Sequence, residues 1–196
     1  MSRLVSNFHL IAGDILVNIN SGNDLWSVIR RWAMGPYSHC FLYMGVLRLG
    51  ATRYRACAGR VPMLFESYGR GASLRMLSGR YGQELVVMRL APEYRRRIPK
   101  VLREAIKLAS DERSYYDYYV IATHLIPWLI LQKLHIPIPL KYQRNSLMIC
   151  SEACAEVFWR AGVAVLPEDV VPLPGDFVDS DLLEQVGQGE LSERWL

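Results

Sequence analysis

Cys150 is the residue of this chain whose position best suits covalent chemistry. It follows the apolar residues 147–149 and opens the segment 150–162, whose spacing predicts a helix that ends at Gly162. A thiol at a helix N-terminus faces unpaired backbone N–H groups and the positive end of the helix dipole, which favours the thiolate. The same N–H groups can stabilise an oxyanion. Cys154 lies one turn deeper, where neither effect reaches, and both cysteines have an alternative role as small buried core residues.

A base and a carboxylate that could serve this thiol lie on two predicted strands. His39 is near the start of the apolar run 38–45, so its ring is expected near a strand end, and Glu66 follows three apolar residues. An inward-pointing Glu66 needs a partner, because burying an unpaired carboxylate is costly. With Cys150 these residues make a nucleophile, a general base and an acid that orients the base, which is the logic of a catalytic triad. The alternatives are a core thiol, a hydrogen-bonded structural histidine and an exposed glutamate.

The elements that must position these residues divide into early strands and later helices. The hydrophobic pattern predicts strands over 11–17, 38–45, 63–67 and 85–90, and helices over 24–33, 98–109 and 150–162. The apolar positions of the middle helix that share one face are Ile98, Val101, Leu102, Ala105, Ile106 and Ala109. Strands and helices do not alternate strictly, so the sequence predicts an α+β fold in a single domain spanning residues 1–196.

The composition is that of a folded protein. Hydrophobic residues make up 51% and charged residues 21% of the 196 residues, which excludes an extended disordered chain and a coiled coil. The net charge of +4 permits an anionic partner without requiring one, and no nucleic-acid-binding motif is present. The four cysteines lack the spacing of a zinc site, so we expect reduced thiols and no metal. The start of the chain carries no secretion signal, so a cytoplasmic location is expected.

Short motifs in a fixed order link these residues to a known family. They are Gly13-Asp14-Ile15-Leu16, Tyr37-Ser38-His39, Phe65-Glu66, Tyr116-Asp117, Cys150-Ser151-Glu152-Ala153, Arg160-Ala161-Gly162 and Pro174-Gly175-Asp176-Phe177 with Ser180. Their order and spacing cover nearly the whole chain. The pattern resembles the circularly permuted NlpC-type, papain-like cysteine hydrolases of the YiiX-like family, which are distant relatives of lecithin:retinol acyltransferase.

The resemblance implies both a fold and a mechanism. The fold is a permuted papain-like one, in which an antiparallel, barrel-like sheet carrying His39 and Glu66 packs against helices that include the Cys150 helix. Cys150 is then the nucleophile, His39 the general base and Glu66 the residue that orients the base. Tyr116 matches a family tyrosine that lies near the nucleophile and helps to hold the oxyanion. The implied reaction is acyl transfer through a thioester, with no metal or organic cofactor.

The segment 118–145 is longer and more apolar than this family pattern requires, and we expect an apolar helical insertion there. Residues 118–132 carry no charge, yet they are too few for a membrane span and contain Pro127. One interpretation is a buried helix pair; the other is an apolar lid or a surface that contacts a membrane peripherally.

The predicted function is a cysteine hydrolase of the amidase or peptidase type, acting on an amide or ester bond of a small molecule or peptide. A lipid-directed thiol acylhydrolase or acyltransferase is the first alternative, because the apolar segment suits an acyl chain. A non-catalytic binding domain with the same fold is the second alternative. The sequence gives no support for binding to nucleic acid.

Overall fold

A six-stranded antiparallel sheet forms the centre of the computed structural model, which describes residues 9–22, 24, 27–28, 31–32, 35–49, 59–68, 71–111 and 149–196. The strands are β1 (Ile15–Ile19), β2 (Tyr37–Leu49), β3 (Gly59–Ser67), β4 (Ala72–Met76), β5 (Glu84–Leu90) and β6 (Leu183–Glu190). Their order across the sheet is β4-β3-β2-β1-β5-β6. Helices α1 (Ile98–Ala109) and α2 (Cys150–Ala161) accompany the sheet, and the predicted α+β class is confirmed.

The central strands are buried on both faces. In β1, Ile15 and Val17 belong to the core that α1 and α2 cover, whereas Leu16 belongs to a second core on the opposite face. Trp195, near the end of the chain, contributes to that second core. Alternate residues of a strand point to opposite faces, so a strand that is covered on both sides carries an unbroken run of apolar residues.

Helix α2 is the more deeply buried of these two helices. Ten of its twelve residues are buried, and it ends at Gly162, whose left-handed backbone (φ 79°) is the predicted C-terminal cap. Polar contacts fix both its ends: Ser151 Oγ donates to Pro172 O at 2.6 Å, and Trp159 Nε1 donates to Leu166 O at 2.8 Å. The burial and these contacts hold the N-terminus of α2, and therefore Cys150, in a fixed place.

Helix α1 begins and ends as predicted, but its buried face differs from the prediction at two positions, Ile106 and Leu108. Val101, Ala105 and Leu108 are buried. The sequence pattern predicts Ile106 on the buried face, and this is wrong, because Ile106 is 49% exposed. The stripe that meets the core follows the spacing i, i+4, i+7, and Ile106 lies at its edge.

The four predicted strands are present with shifted ends. The strand predicted over 11–17 starts only at Ile15, because Asp14 Oδ2 accepts a hydrogen bond from the Ile11 N–H at 2.8 Å and closes a turn before it. Strands β4 and β6 were not predicted. β6 contains Gly187 and Gly189 and few apolar residues, so its backbone pairing with β5 leaves little trace in the sequence.

Several predictions concern residues outside the described part of the chain. These are Tyr116, Cys57 and the apolar segment 118–145. Of the helix predicted over 24–33, residues 24, 27–28 and 31–32 are described; residues 27–28 and 31–32 are helical, and Asp24 lies in a bend. Within the described ranges, no helix combines the length and the apolar character needed to cross a membrane.

The Gly-Asp pair before β1 has a structural role. Asp14 is fully buried and receives two hydrogen bonds from Arg89 of β5, from Nε to Oδ1 and from Nη2 to Oδ2, each 2.8 Å long. Gly13 has a φ of 99°, and a Cβ atom there would lie 2.4 Å from Ile98 Cδ1 of α1. Glycine at this position therefore lets the start of β1 approach the start of α1.

We expect Gly13→Ala to destabilise the fold by about 2–4 kcal/mol, because it adds a clash with Ile98 to the strain of a positive φ. Gly82→Ala is the matched control, since Gly82 has a φ of 84° and open space around its Cα. It should cost only the strain, about 1 kcal/mol. Urea unfolding measures both free energies of unfolding, and equal losses would contradict the close packing described at Gly13.

Candidate active site

The pairing of β2 with β3 brings His39 to Glu66. The register places Leu42 opposite Phe65, so one step further along the ladder Phe41 comes opposite Glu66. His39 lies two residues from Phe41 on the same face, which makes it a diagonal neighbour of Glu66. His39 Nε2 and Glu66 Oε2 are 2.9 Å apart. Two residues separated by 27 positions thus form a direct hydrogen bond because the two strands run antiparallel.

Glu66 is fully buried, as an inward-pointing carboxylate, and it is paired as the sequence analysis requires. Besides His39, it contacts Arg80, whose Nη2 donates to Oε2, and Arg75, whose Nε lies 3.4 Å from Oε1. Burial by itself would raise the pKa of Glu66, but its hydrogen bond to His39 and the charges of His39 and Arg80 hold that pKa below its usual range. Glu66 is therefore an anion surrounded by cationic side chains.

Cys150 is the first residue of α2, as predicted, and it is 5% exposed. Glu152 Oε2 accepts a hydrogen bond from the N–H of the preceding residue, Ile149, at 2.8 Å, and this caps the helix. The N–H groups in the first turn of an α-helix have no partner within the helix. Those of Cys150 and Ser151 lie next to the sulfur and are the natural donors for an oxyanion formed there.

His39 connects the sulfur to the carboxylate. Its imidazole hydrogen-bonds Cys150, and because Glu66 occupies Nε2, the nitrogen left for the sulfur is Nδ1. Burial lowers the pKa of His39, but the negative charge of Cys150 and hydrogen bonds to Cys150 and Glu66 outweigh this and raise the pKa to about 10. The ring is thus protonated at neutral pH.

Cys40 is a member of the site that the sequence analysis did not single out. It follows His39 on β2, and adjacent residues of a strand point to opposite faces. Since both side chains contact the Cys150 sulfur, that sulfur lies beside β2 at the level of its backbone, where the Cys40 N–H also donates to it. Cys40 and Cys154 are free, fully buried thiols.

The surroundings of Cys150 favour its thiolate. The hydrogen bond from Cys40 is the largest influence; it and the charge and hydrogen bond of His39 outweigh burial and hold the pKa of Cys150 well below its usual range. Burial and contacts with Cys150 and Cys154 raise the pKa of Cys40, so Cys40 keeps its proton and acts as a donor. These shifts favour a thiolate–imidazolium pair, with the Glu66 carboxylate on the far side of the imidazole.

The three residues predicted as a triad are therefore adjacent, in the order Cys150, His39, Glu66. Tyr116, the fourth predicted site residue, lies outside the described residues.

The sequence offered no local signal for Arg75 and Arg80, because β4 and the turn after it bring these arginines to Glu66 only through strand pairing. Among the described residues, no group of three His, Cys, Asp or Glu side chains is arranged to hold a metal ion.

A polar cavity of about 1210 Å³ lies at the same end of the sheet. Its lining includes Ser38, Gln83 and Asn18, and Asn18 is the register partner of His39 on β1. Asn18 Nδ2 donates to Gln83 Oε1 at 3.0 Å. Cys150, His39 and Glu66 do not themselves line the cavity, so it adjoins the site without containing the Cys150 sulfur.

We expect Cys40→Ala to raise the pKa of Cys150, because it removes a hydrogen bond that the thiolate accepts. Alkylation of Cys150 by iodoacetamide at pH 6 should slow by about tenfold. Cys40→Ser should restore part of the rate, since its hydroxyl is also a donor. Cys154→Ala removes a buried thiol from the same core and should leave the rate of Cys150 alkylation at pH 6 unchanged. An equal decrease in the Cys150 alkylation rate in Cys40→Ala and Cys154→Ala would contradict a specific role for Cys40.

Comparison with known proteins assigns no family to this chain. No protein-family model matches it, and no curated protein matches it. Its chemistry is therefore inferred from the geometry of Cys150, His39, Glu66 and Cys40.

Proposed function

We propose that this protein is a cysteine-dependent hydrolase of the amidase or peptidase type. The observation that carries the proposal is the arrangement of Cys150, His39 and Glu66: a thiol at a helix N-terminus hydrogen-bonded to an imidazole, which a buried carboxylate holds from its other side. A histidine in an ordinary structural role does not require a free cysteine on one nitrogen and a fully buried glutamate on the other. The combination is that of an activated nucleophile with an oriented base.

The reaction begins with attack of the Cys150 thiolate on the carbonyl carbon of the substrate. The carbonyl oxygen becomes an oxyanion, and the N–H groups of Cys150 and Ser151 at the start of α2 stabilise it. The His39 imidazolium gives its Nδ1 proton to the leaving amine as the C–N bond breaks, which leaves a thioester. Neutral His39 then takes a proton from water, the hydroxide formed attacks the thioester, and the C–S bond breaks to release the acid and the Cys150 thiolate.

Glu66 acts through His39. Its Oε2 accepts the Nε2 proton, which fixes the ring so that Nδ1 faces the sulfur, and its charge stabilises the imidazolium. Arg80 holds the carboxylate from the other side. Because Glu66 is buried and ionised, its carboxylate is held in one position. The His39 ring that it orients is therefore fixed as well.

We further propose that the chain has the permuted papain-like fold that its motifs resemble. In support, the strands carrying His39 and Glu66 precede the helix that begins at Cys150, and that helix packs against an antiparallel sheet. The proposal includes Tyr116 as an additional donor to the oxyanion, which depends on the resemblance alone.

The proposal predicts selective labelling of one cysteine. At pH 6, where an ordinary thiol is less than about 1% ionised, iodoacetamide should alkylate Cys150 in preference to the other cysteines. His39→Ala removes the imidazolium and should slow this alkylation by about 10- to 100-fold. Peptide mapping by mass spectrometry identifies the labelled residue.

His9→Ala is the control for that experiment, because His9 is exposed. In this variant, iodoacetamide should alkylate Cys150 at the wild-type rate. Equal labelling of Cys40, Cys150 and Cys154, or no effect of His39→Ala, would overturn the proposed role of Cys150 as an activated nucleophile.

Hydrolysis should depend on both the Cys150 thiolate and the His39 imidazolium. Against a panel of short peptides, amides and esters, the wild type should turn over at least one amide or peptide, and Cys150→Ser should lose at least about 1000-fold in kcat/KM. The rate should fall above pH 10, because His39 loses the proton that the leaving group needs when the pH passes its pKa of about 10. An alkaline limit near pH 7 would contradict the charged imidazole, and full activity in Cys150→Ser would contradict the mechanism.

A further inference from the structure

We propose that Arg75 and Tyr68 form a subsite for an oxyanion group of the substrate, either a carboxylate or a phosphate. The inference rests on the proposed function, since it assigns a chemical class to the substrate that Cys150 attacks. We call this pair the Arg75 subsite.

The side chains around Glu66 carry an excess of positive charge. Three cationic side chains, His39, Arg75 and Arg80, surround this one buried carboxylate. Arg80 and His39 both contact Oε2 by hydrogen bonds, whereas Oε1 is buried, has no hydrogen-bond partner among the described residues and lies 3.4 Å from Arg75 Nε. With Glu66 and the Cys150 thiolate as the two anions, these three cations leave the site with an excess of one positive charge.

The polar contacts that hold Arg75 are long. Its Nε lies 3.4 Å from Glu66 Oε1 and 3.3 Å from Ser73 Oγ, both longer than a good charge-assisted hydrogen bond. Its two terminal nitrogens make no hydrogen bond to any described residue. The Arg75 side chain is 45% exposed, against 17% for Arg80. A planar fork of N–H donors thus faces the solvent, and such a fork binds a carboxylate or a phosphate with two parallel hydrogen bonds.

Tyr68 contacts both the His39 ring and the Arg75 guanidinium. The Tyr68 ring lies edge-on to the His39 ring, with 6.0 Å between centroids. The guanidinium of Arg75 lies over the same ring, 5.6 Å from its centroid, and this cation–π contact orients it. Tyr68 is 44% exposed. A substrate that is held at Cys150 and extends past His39 and Tyr68 therefore places a distal oxyanion group at Arg75.

Three matched probes test the subsite: N-iodoacetyl-β-alanine carries a carboxylate, N-iodoacetyl-phosphoethanolamine carries a phosphate, and N-iodoacetyl-β-alaninamide is neutral. The quantity measured is the rate of Cys150 alkylation by each anionic probe divided by the rate for the neutral probe. We expect this ratio to fall by about fivefold in Arg75→Gln at low ionic strength, and the difference to shrink in 0.5 M salt (about 4 Å screening length). Arg75→Lys should restore part of the ratio.

Arg95→Gln is the matched control. The Arg95 side chain is 40% exposed and lies 3.4 Å from Glu184, so it resembles Arg75 in charge, exposure and ion pairing. Arg95 Nε donates a hydrogen bond to Leu90 O at the end of β5. Leu85, five residues earlier on this strand, pairs with Asn18, which in turn pairs with His39. Arg95 is therefore held five residues along β5 from the level of His39. Its removal should leave the ratio unchanged. If Arg75→Gln leaves the ratio unchanged, or Arg95→Gln lowers it equally, the Arg75 subsite is wrong.

A second measurement needs no variant. Inorganic phosphate, compared with chloride at equal ionic strength, should slow alkylation of wild-type Cys150 by the anionic probes more than by the neutral probe, and equal slowing would overturn the subsite. The rates of the two anionic probes show whether a carboxylate or a phosphate is preferred. Failure of the proposed function has a different signature, because the neutral probe would then label Cys150 no faster than Cys40 or Cys154.

Discussion

The positive charge on the half-buried His39 ring is the constraint on which the rest of the site depends. Burial opposes a charged imidazole, so the charge exists only because an anion lies on each side of the ring. Cys150 and Glu66 are those anions. Cys40 and the N-terminus of α2 stabilise the thiolate, and Arg80 stabilises the carboxylate. Removing any one group leaves a buried charge without its partner.

The surrounding structure supplies the rigidity that such a row of charges needs. Helix α2 is buried along nearly its whole length, and β2 is paired on both sides by β1 and β3. The sulfur reaches β2 at the level of the backbone, where His39 on one face and Cys40 on the other both contact it. Adjacent residues of one strand thus contact the same atom, His39 through its imidazole and Cys40 as a hydrogen-bond donor.

Local pattern predicted the parts of the fold that have strong local signals. The apolar runs of β1, β2, β3 and β5 and the helix beginning at Cys150 could be located because their hydrophobic periodicity and end signals are intrinsic to short segments. β4 and β6 could not, because edge strands are held by backbone hydrogen bonds that any side chain permits. Ile106 shows the same limit within a helix: periodicity gives a stripe, but the packing of α1 against its neighbours decides where the stripe ends.

The sequence by itself determined the chemical types and their local settings: a cysteine at a predicted helix N-terminus, a histidine near a strand start, and a glutamate at the end of an apolar run that had to be paired if it pointed inward. Only the tertiary structure decided that these three meet, and that Cys40, Arg75 and Arg80 join them. The reason is physical. Helix and strand signals act over a few residues, whereas the register of β2 with β3 and the docking of α2 depend on the packing of both cores and join residues far apart in the chain.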